Sequence, residues 1–215
     1  MHAVPSVDAV LFDFGGVFTP SPFHVLRQAA VELDLPPDVV LATVFGGYDE
    51  DTDHPWHRLE RGEVTIEDAI AAIVALAADS GHEIDPIGML TKGMGGSGVR
   101  DDVVDLVREV RAAGVATAIV TNNVKEFSSA WREMLPVAEL FDVVVDSCEE
   151  GVRKPDPVIF RLALERLGGV PPERAAFLDD APGNVASARA LGMHAIHVDV
   201  EHGSALAALR GLLSG

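Results

Sequence analysis

Side chains suited to chemistry follow apolar segments at several points along the chain. Asp13 comes directly after the apolar residues 10–12, Thr121 ends a second apolar segment, Asp180 follows a third, and Lys154 stands directly before a proline. A phosphoryl group carries dense negative charge, so a carboxylate attacks it only when cations neutralise that charge. A carboxylate nucleophile, a second carboxylate, a hydroxyl and an ammonium group together suit phosphoryl transfer.

Asp13 is the candidate nucleophile, and it is also one of two carboxylates that can bind a single Mg²⁺. Asp180 supplies the other carboxylate, and the backbone carbonyl of Gly15 is a further candidate ligand. Substrate oxygen and water would complete the octahedron of oxygen ligands that Mg²⁺ prefers. The sequence therefore predicts a magnesium site formed by Asp13, Gly15 and Asp180.

Three other polar residues are candidates for binding the phosphoryl oxygens. The Thr121 hydroxyl and the Asn122 amide can donate hydrogen bonds to them, and the Lys154 ammonium group can contribute positive charge. The chain has only two other lysines, whereas arginine is plentiful. The presence of lysine at position 154, in a chain whose basic residues are mostly arginine, favours a catalytic role for the compact ammonium charge.

Five short apolar segments are typical of buried parallel strands, and these strands must position the polar residues. They span residues 9–14, 115–121, 143–146, 175–179 and 194–198. Helical patterns occupy residues 101–113, 157–167 and 182–191 between or beside them. The alternation predicts an α/β fold, a Rossmann-like doubly wound parallel sheet with its site at the carboxyl ends of the strands.

About a hundred residues separate the first two predicted strands, far more than one crossover needs. The excess predicts an inserted α-helical cap domain over residues 19–97, while residues 1–18 and 98–215 form the core domain. Four helices are predicted in the insertion, at residues 22–33, 37–44, 55–61 and 65–78. The glycine-rich residues 92–98 that follow suit either a hinge or a passive loop.

The composition argues against several classes of partner. A formal net charge of −18, from 34 acidic and 16 basic residues, disfavours nucleic acid and anionic membranes, because both bind clustered cations. Cys148 is the only cysteine, so no internal disulfide can form. The first apolar segment is interrupted by Asp13 well before membrane-spanning length, and no basic region precedes it. We therefore expect a soluble cytoplasmic protein.

Four segments resemble, in order, the four motifs of the haloacid dehalogenase-like hydrolase superfamily. They are residues 11–17, 119–122, 153–157 and 177–180. The resemblance implies that Asp13 becomes transiently phosphorylated and that the fourth segment provides metal ligation, with Asp179 supporting the ligands. Residues 55–63 further resemble the C1-capped subfamily I, in the branch related to the N-terminal phosphatase domain of soluble epoxide hydrolases.

Gly15 departs from the pattern of that family. Members with standard phosphatase motifs have a second aspartate here, two residues after the nucleophile, which acts as general acid and base. Losing such a group costs about 10²- to 10⁴-fold in rate. Either another residue replaces it, or the leaving group needs little protonation, or the activity is low. The acidic and histidine-containing residues 49–54, with His57, are the predicted location of a replacement.

Asn184 is a milder departure, because many relatives have an acid at the corresponding position. Its amide is predicted to support the site without binding the metal, either by orienting a metal-bound water or by accepting a hydrogen bond from Lys154.

The leading interpretation is a Mg²⁺-dependent phosphatase that acts on a small phosphorylated metabolite enclosed between core and cap. A dehalogenase-type hydrolase is the first alternative, since dehalogenases of this superfamily attack carbon with an aspartate and lack the second acid. They work without metal, however, and the pair Asp179 and Asp180 argues against that mechanism. A non-catalytic member that binds a phosphate ligand or a protein partner is the second alternative, which Gly15 favours.

Overall fold

A parallel sheet forms the centre of the computed structural model, which describes residues 5–94 and 98–214. Its strands are β1 Ala9–Phe12, β2 Ala116–Thr121, β3 Val143–Asp146, β4 Ala175–Asp179 and β5 His194–His197. They lie in the order β3-β2-β1-β4-β5, and every neighbouring pair is parallel. The predicted α/β fold with a Rossmann-like doubly wound sheet is confirmed, although the first strand ends at Phe12, two residues earlier than expected.

Helices fill the connections between the strands. Before β2 lie α1 Pro22–Glu32, α2 Pro37–Phe45, α3 Pro55–Glu60, α4 Ile66–Asp79, α5 Pro86–Met94 and α6 Asp101–Ala112. After β2 lie α7 Ser128–Met134, α8 Val137–Leu140, α9 Ser147–Glu150, α10 Pro157–Arg166, α11 Pro182–Ala190 and α12 Gly203–Leu213, with 3₁₀ turns at Lys125–Phe127 and Pro172–Arg174.

The sequence patterns do not predict α5 or α12, because each contains two glycines, which lower helix propensity. Packing of their apolar residues outweighs that cost. The predicted hinge at residues 92–98 overlaps the end of α5, and residues 95–97 lie outside the described part of the chain.

Polar caps set the start of two predicted helices. The Asp156 side chain accepts a hydrogen bond from the Val158 amide at 2.8 Å and caps α10, whose first residue is Pro157. Thr65 caps α4 in the same way by accepting from the Asp68 amide at 3.2 Å. Both helices therefore begin at, or one residue after, the first residue predicted for them. The cap at Asp156 also fixes the chain immediately after Lys154.

Alternate residues of β1 pack into two apolar layers on opposite faces of the sheet. Val10 and Phe12 belong to the layer that contains α6 and α12, whereas Ala9 and Leu11 belong to the layer that contains α10 and α11. All four side chains are fully buried. Burying a Val, Leu or Phe side chain stabilises the fold by about 1.5–3 kcal/mol. The end of β1, from which Asp13 projects, is therefore held from both faces.

Helices α1 to α5 surround a third apolar cluster. Each contributes at least one buried residue, namely Leu26, Val40, Trp56, Ile73 and Leu90 in chain order. The division into a cap domain at residues 19–97 and a core domain at residues 1–18 and 98–215 stays a prediction, which this separate cluster supports. In the described parts of the chain, no helix has the length and apolar character that crossing a membrane requires.

Candidate active site

Four charged side chains meet at the carboxyl ends of neighbouring strands. Asp13 follows β1 and Asp179 ends β4, and these two strands pair directly. Lys154 lies between them, with its Nζ atom 2.7 Å from Asp13 Oδ1 and 2.7 Å from Asp179 Oδ2. Asp180 is the next residue along the chain, and one oxygen from each of the three carboxylates lies within 4.8 Å of the others. The structure therefore brings these four predicted residues together, while their roles stay predictions.

Three carboxylates and one ammonium group give this cluster an excess of negative charge. Burial raises the pKa of Asp13 to about 7, although the Lys154 ammonium group opposes the rise. Burial also raises the pKa of Asp180, together with the charges of Asp179 and Asp13. Burial alone would lower the pKa of Lys154, but the two carboxylates outweigh it and hold that pKa above its ordinary value. A bound cation would relieve the repulsion among the carboxylates.

The carboxylate oxygens that lack donors fit a hard divalent cation. Asp180 Oδ2 is buried and has no hydrogen-bond partner among the described residues. Asp179, in contrast, accepts hydrogen bonds from the Ala181 amide at 2.7 Å and from Asn184. Mg²⁺ prefers carboxylate oxygens in an octahedral arrangement. The donor set thus fits Asp13 and Asp180 as ligands and Asp179 as a residue that holds its neighbours in place.

Asn184 contacts Asp179 and not Lys154. Its Nδ2 atom donates to the two oxygens of Asp179 at 3.2 and 3.0 Å. The predicted hydrogen bond from Lys154 to Asn184 is absent, because the ammonium group is taken by two carboxylates, which are stronger acceptors than an amide. Asn184 Oδ1 is buried without a partner among the described residues. It is thus available to a water molecule, which is the other role predicted for it.

Thr121 and Asn122 lie where β2 ends, beside the charged cluster. Thr121 is buried and lines the same cavity as Asp13. The Asn122 side chain pairs with the main chain of Lys154: Nδ2 donates to the Lys154 carbonyl at 2.9 Å, and Oδ1 accepts from the Lys154 amide at 2.8 Å. The predicted hydrogen bond from Asn122 to a phosphoryl oxygen stays a prediction. What the structure adds is that Asn122 positions Lys154.

Two successive glycines, Gly15 and Gly16, come shortly after Asp13, and only at Gly16 does the backbone conformation require a glycine. Gly16 has a φ of 75°, and a Cβ atom there would lie 2.6 Å from the Cβ atom of Asp180. Gly15 has no such φ, and a Cβ atom there would make an ordinary contact with Pro22 at 3.5 Å. Position 15 can therefore hold a side chain.

The acidic and histidine-containing segment of residues 49–54, with His57, does not line the cavity in the described structure. His57 is buried, and its Nδ1 atom accepts from the Thr52 amide at 3.0 Å. Burial, aided by the Arg153 charge, lowers the pKa of His57 to about 3. Asp51 forms an ion pair with Arg61. The prediction that this segment replaces the missing acid is therefore not supported.

A cavity of about 440 Å³ opens in front of Asp13 and is lined mainly by aromatic and aliphatic side chains. Those from the predicted cap are Pro22, Phe23, Phe45, Tyr48, Trp56, Ile87 and Leu90, and those beyond β2 are Val124, Phe127, Ala130, Trp131, Met134 and Ala181. None of them is predicted as a site residue from the sequence. Apolar residues that line a cavity and apolar residues that fill a core have the same spacing in a sequence, so no local signal separates them.

A buried ion pair joins α3 to the segment that carries Lys154. Arg153 Nε donates to Glu60 Oε2 at 2.6 Å, and both side chains are almost fully buried. Tyr48 and Trp56 also donate to Glu60, the latter at 2.8 Å. The Ser147 hydroxyl donates to the Glu60 carbonyl at 2.6 Å. Glu60 and Arg153 are missed by the sequence analysis, although both lie within segments that carry the family resemblance.

Three relatives of known name align with most of this chain. Acyl-CoA dehydrogenase family member 10 of Mus musculus is 35% identical over 90% of this chain and 18% of its own length. Bifunctional epoxide hydrolase 2 of Rattus norvegicus is 28% identical over 87% of this chain and 35% of its own length. The chain therefore spans only about a fifth and a third of these two proteins. Sesquiterpene phosphatase astK of Aspergillus oryzae is 30% identical over 88% of this chain and 89% of its own length.

The fold agrees with solved structures as well. A HAD family enzyme of Bacteroides thetaiotaomicron, solved with magnesium and inorganic phosphate, superposes with a TM-score of 0.61 at 16% identity, over 92% of this chain and 95% of that one. The family model described as haloacid dehalogenase-like hydrolase matches residues 7–192. These residues include all four motif-like segments and the charged cluster. The chain belongs to the haloacid dehalogenase-like hydrolase family.

Proposed function

We infer that this hydrolase is a Mg²⁺-dependent phosphatase of small phosphorylated compounds, and that it acts through an aspartyl-phosphate intermediate at Asp13. One observation carries the proposal. Lys154 bridges Asp13 and Asp179, while Asp180 keeps a buried oxygen without a partner in the described structure. A site with this excess of carboxylate oxygen suits a divalent cation and a phosphoryl group together.

In this mechanism Asp13 and Asp180, with the Gly15 carbonyl, would hold Mg²⁺, which would neutralise phosphoryl charge during attack. Lys154 holds one Asp13 oxygen at 2.7 Å, which leaves the other oxygen to attack phosphorus. Thr121 donates its hydroxyl to a phosphoryl oxygen, and Lys154 adds positive charge. Asp13 becomes phosphorylated as the leaving group departs, and water then releases phosphate.

The cavity supports a role for the inserted helices in binding substrate. Side chains of α1, α2, α3 and α5 form one wall, and residues of the sheet and of α7 form the other. We infer that residues 19–97 act as a cap domain, which encloses the substrate above the carboxyl ends of the strands. Enclosure excludes water and strengthens the electrostatic interactions at Asp13.

Phosphate release from 4-nitrophenyl phosphate tests the proposal, measured with Mg²⁺ and with EDTA for the wild-type protein and for Asp13→Asn. We expect turnover only in the wild type with Mg²⁺, because the amide of the variant cannot act as an anionic nucleophile. Circular dichroism of the variant controls for folding. Halide release from 2-chloropropionate in EDTA, without phosphatase activity, would favour the metal-independent dehalogenase and overturn the proposal.

Calorimetric titration with Mg²⁺ tests the ligand assignment separately. Asp180→Ala is expected to weaken Mg²⁺ binding strongly, because Mg²⁺ tolerates poor coordination geometry badly. Asp105→Ala removes an exposed carboxylate that pairs with Arg108 and neither lines the cavity nor belongs to the charged cluster, and it serves as the matched control. Equal Mg²⁺ affinity in both variants would show that Asp180 is not a ligand.

A further inference from the structure

We propose that the substrate is an acyl or aryl phosphate with an apolar skeleton, whose leaving oxygen departs as an anion and needs no proton. This inference rests on the proposed phosphatase function. Two features of the cavity carry it: among the described residues no acid is free to donate a proton beside Asp13, and most of the wall is apolar.

Every ionisable side chain among the described residues that line the cavity already has a partner or a role. These residues are Asp13, Tyr48, Glu60, Lys154 and Asp180. Glu60 accepts hydrogen bonds from three donors, as an ionised carboxylate does, and the Tyr48 hydroxyl is one of those donors. Lys154 is held between two carboxylates. Asp13 is the nucleophile and Asp180 the proposed ligand, so none of the five is free to protonate a leaving oxygen.

In the described part of the chain, no acidic side chain lies beside Gly15 to compensate for its missing side chain. The nearest side-chain atoms to a Cβ built there belong to Pro22, at 3.5 and 3.7 Å. The remaining polar side chains that line the cavity are hydroxyls and amides: Thr19, Thr91, Thr121, Asn122, Asn123 and Asn184. Such groups donate hydrogen bonds but do not release a proton near neutral pH. A leaving group at this site therefore has to leave without one.

The basicity of the leaving group then decides the rate. Carboxylic acids ionise with a pKa of about 4 and phenols with a pKa of about 10. An alkyl alcohol is close to water, at about 16. A general acid would raise the rate by about 10²- to 10⁴-fold, and it would help most where the leaving group is an alkoxide. Its absence disfavours alkyl phosphates and leaves acyl and aryl phosphates as good substrates.

The chemical steps balance without an added acid. An oxygen of Asp13 bonds to phosphorus, and the bond from phosphorus to the leaving oxygen breaks, so that the carboxylate or phenolate departs with the electron pair. Water then attacks phosphorus, the bond to Asp13 breaks, and both protons of the water leave with the phosphate, which is released as dihydrogen phosphate. Asp13 is restored as a carboxylate, and the phosphorylated aspartate is itself an acyl phosphate with a weakly basic leaving group.

The cavity wall sets the character of the skeleton. Aromatic side chains from α1, α2, α3 and α7 face the space beyond Asp13, and no cation among the described lining residues is free of a carboxylate. Against the described part of this wall, a sugar would find few hydrogen-bond partners for its hydroxyls, and a diphosphate would find no free cation for its second phosphate, which costs free energy. An aromatic or aliphatic skeleton fits instead.

Benzoyl phosphate, phenyl phosphate and benzyl phosphate test the proposal, because they share a ring and differ in the leaving oxygen. We would measure kcat/KM for the wild type, for Gly15→Asp and for Gly211→Asp, after subtracting spontaneous hydrolysis. Gly211 is exposed on α12, and a Cβ atom added there would have no described atom within 4 Å. Because Gly211 does not line the cavity, its variant adds the same charge outside the site. We expect the wild type and Gly211→Asp to cleave phenyl phosphate at least about 10²-fold faster than benzyl phosphate. Gly15→Asp should raise benzyl phosphate cleavage selectively.

If the kcat/KM of the wild type for benzyl phosphate is within tenfold of that for phenyl phosphate, this inference is wrong, whereas the phosphatase function stands. No phosphate release from any of the three compounds, with no phosphoryl group on Asp13 by mass spectrometry, would overturn the phosphatase function and this inference with it. The wild-type comparison does not depend on the folding of Gly15→Asp, so a poorly folded variant leaves the decision intact.

Discussion

At Gly16 the turn after β1 brings the backbone against the side chain of Asp180, and the positive φ there has a cost for any other residue. We expect Gly16→Ala to destabilise the protein by about 1–3 kcal/mol and to weaken Mg²⁺ binding more than tenfold, because Asp180 must move to admit the methyl group. Urea unfolding and calorimetry would measure the two effects. Gly15→Ala is the matched control and should change either value little; equal losses in both variants would contradict this account of the turn.

Asp13 makes the stability of the metal-free protein depend on pH. Burial raises its pKa to about 7, so the folded state binds the proton more tightly than the unfolded state. Stability from this residue is therefore greatest below about pH 4 and is lost as the pH rises through about 7. In EDTA, the unfolding free energy of the wild type relative to Asp13→Asn should fall by about 4 kcal/mol between pH 4 and 8. Parallel curves for the two proteins would contradict the raised pKa.

Among single residues, charged side chains next to apolar segments or before a proline could be predicted from the sequence as members of the site. Asp13 and Asp180 follow apolar segments and Lys154 stands directly before a proline, and the structure brings the three together. The partners of these residues were harder to predict. Asn122 pairs with the main chain of Lys154, and Asn184 pairs with Asp179. Such contacts depend on how loops pack, and spacing along the chain does not encode that.

At the scale of elements, the end of α3 is attached to the segment before Lys154 through a buried ion pair. We expect Arg153→Met to destabilise the protein by about 3–5 kcal/mol, because it leaves the Glu60 carboxylate buried without its cation. The double variant Glu60→Gln with Arg153→Met should recover much of that loss, since no charge remains unpaired. Thermal and urea unfolding of the two single variants and the double variant measure the coupling.

The exposed ion pair between Arg210 and Glu109 is the matched control for that cycle. Its side chains are about half exposed, with 2.8 Å between Arg210 Nε and Glu109 Oε2. Arg210→Met should cost less than about 1 kcal/mol. Additive effects of Glu60→Gln and Arg153→Met, or a cost as small as that of the control, would show that the buried pair does not stabilise the junction.

Helices with polar caps and clear apolar spacing were predictable, and so were the buried strands. The short helices α7, α8 and α9 lie in segments without such spacing, and α5 and α12 contain glycines that weaken the helical pattern. Their packing against the rest of the chain holds them in place. Two of these elements, α5 and α7, line the cavity, so the least predictable helices are among those that contact the substrate in the proposed function.

At the scale of the whole molecule, the net charge of −18 opposes the approach of a phosphorylated substrate. Salt screens that repulsion, since the Debye length falls from about 30 Å at 0.01 M to about 8 Å at 0.15 M. At saturating Mg²⁺ we therefore expect the KM for phenyl phosphate to fall about two- to tenfold as NaCl rises over this range. Steady-state kinetics at several salt concentrations would test this, with kcat as the internal control. A KM that rises with salt would show attraction at the cavity mouth instead.

The general organisation of the molecule followed from simple counts. The number of residues between the first two strands exceeds what one crossover needs, which indicated an inserted domain. The order of the polar residues along the chain indicated that they meet at one edge of the sheet. The position of the insertion over that edge did not follow from the sequence. It depends on contacts such as that between Gly62 and the Cys148 carbonyl, where a Cβ atom would lie only 2.5 Å from the oxygen.

Both tryptophans of the chain line the cavity, Trp56 from α3 and Trp131 from α7. Their indole nitrogens donate to the buried carboxylates of Glu60 and Asp146, at 2.8 and 3.3 Å, so each ring has a fixed orientation. The tryptophan emission of the protein therefore arises entirely from the walls of the proposed substrate site. An aromatic ligand that enters the cavity will quench or shift that emission, and occupancy can be followed in unlabelled protein without any turnover.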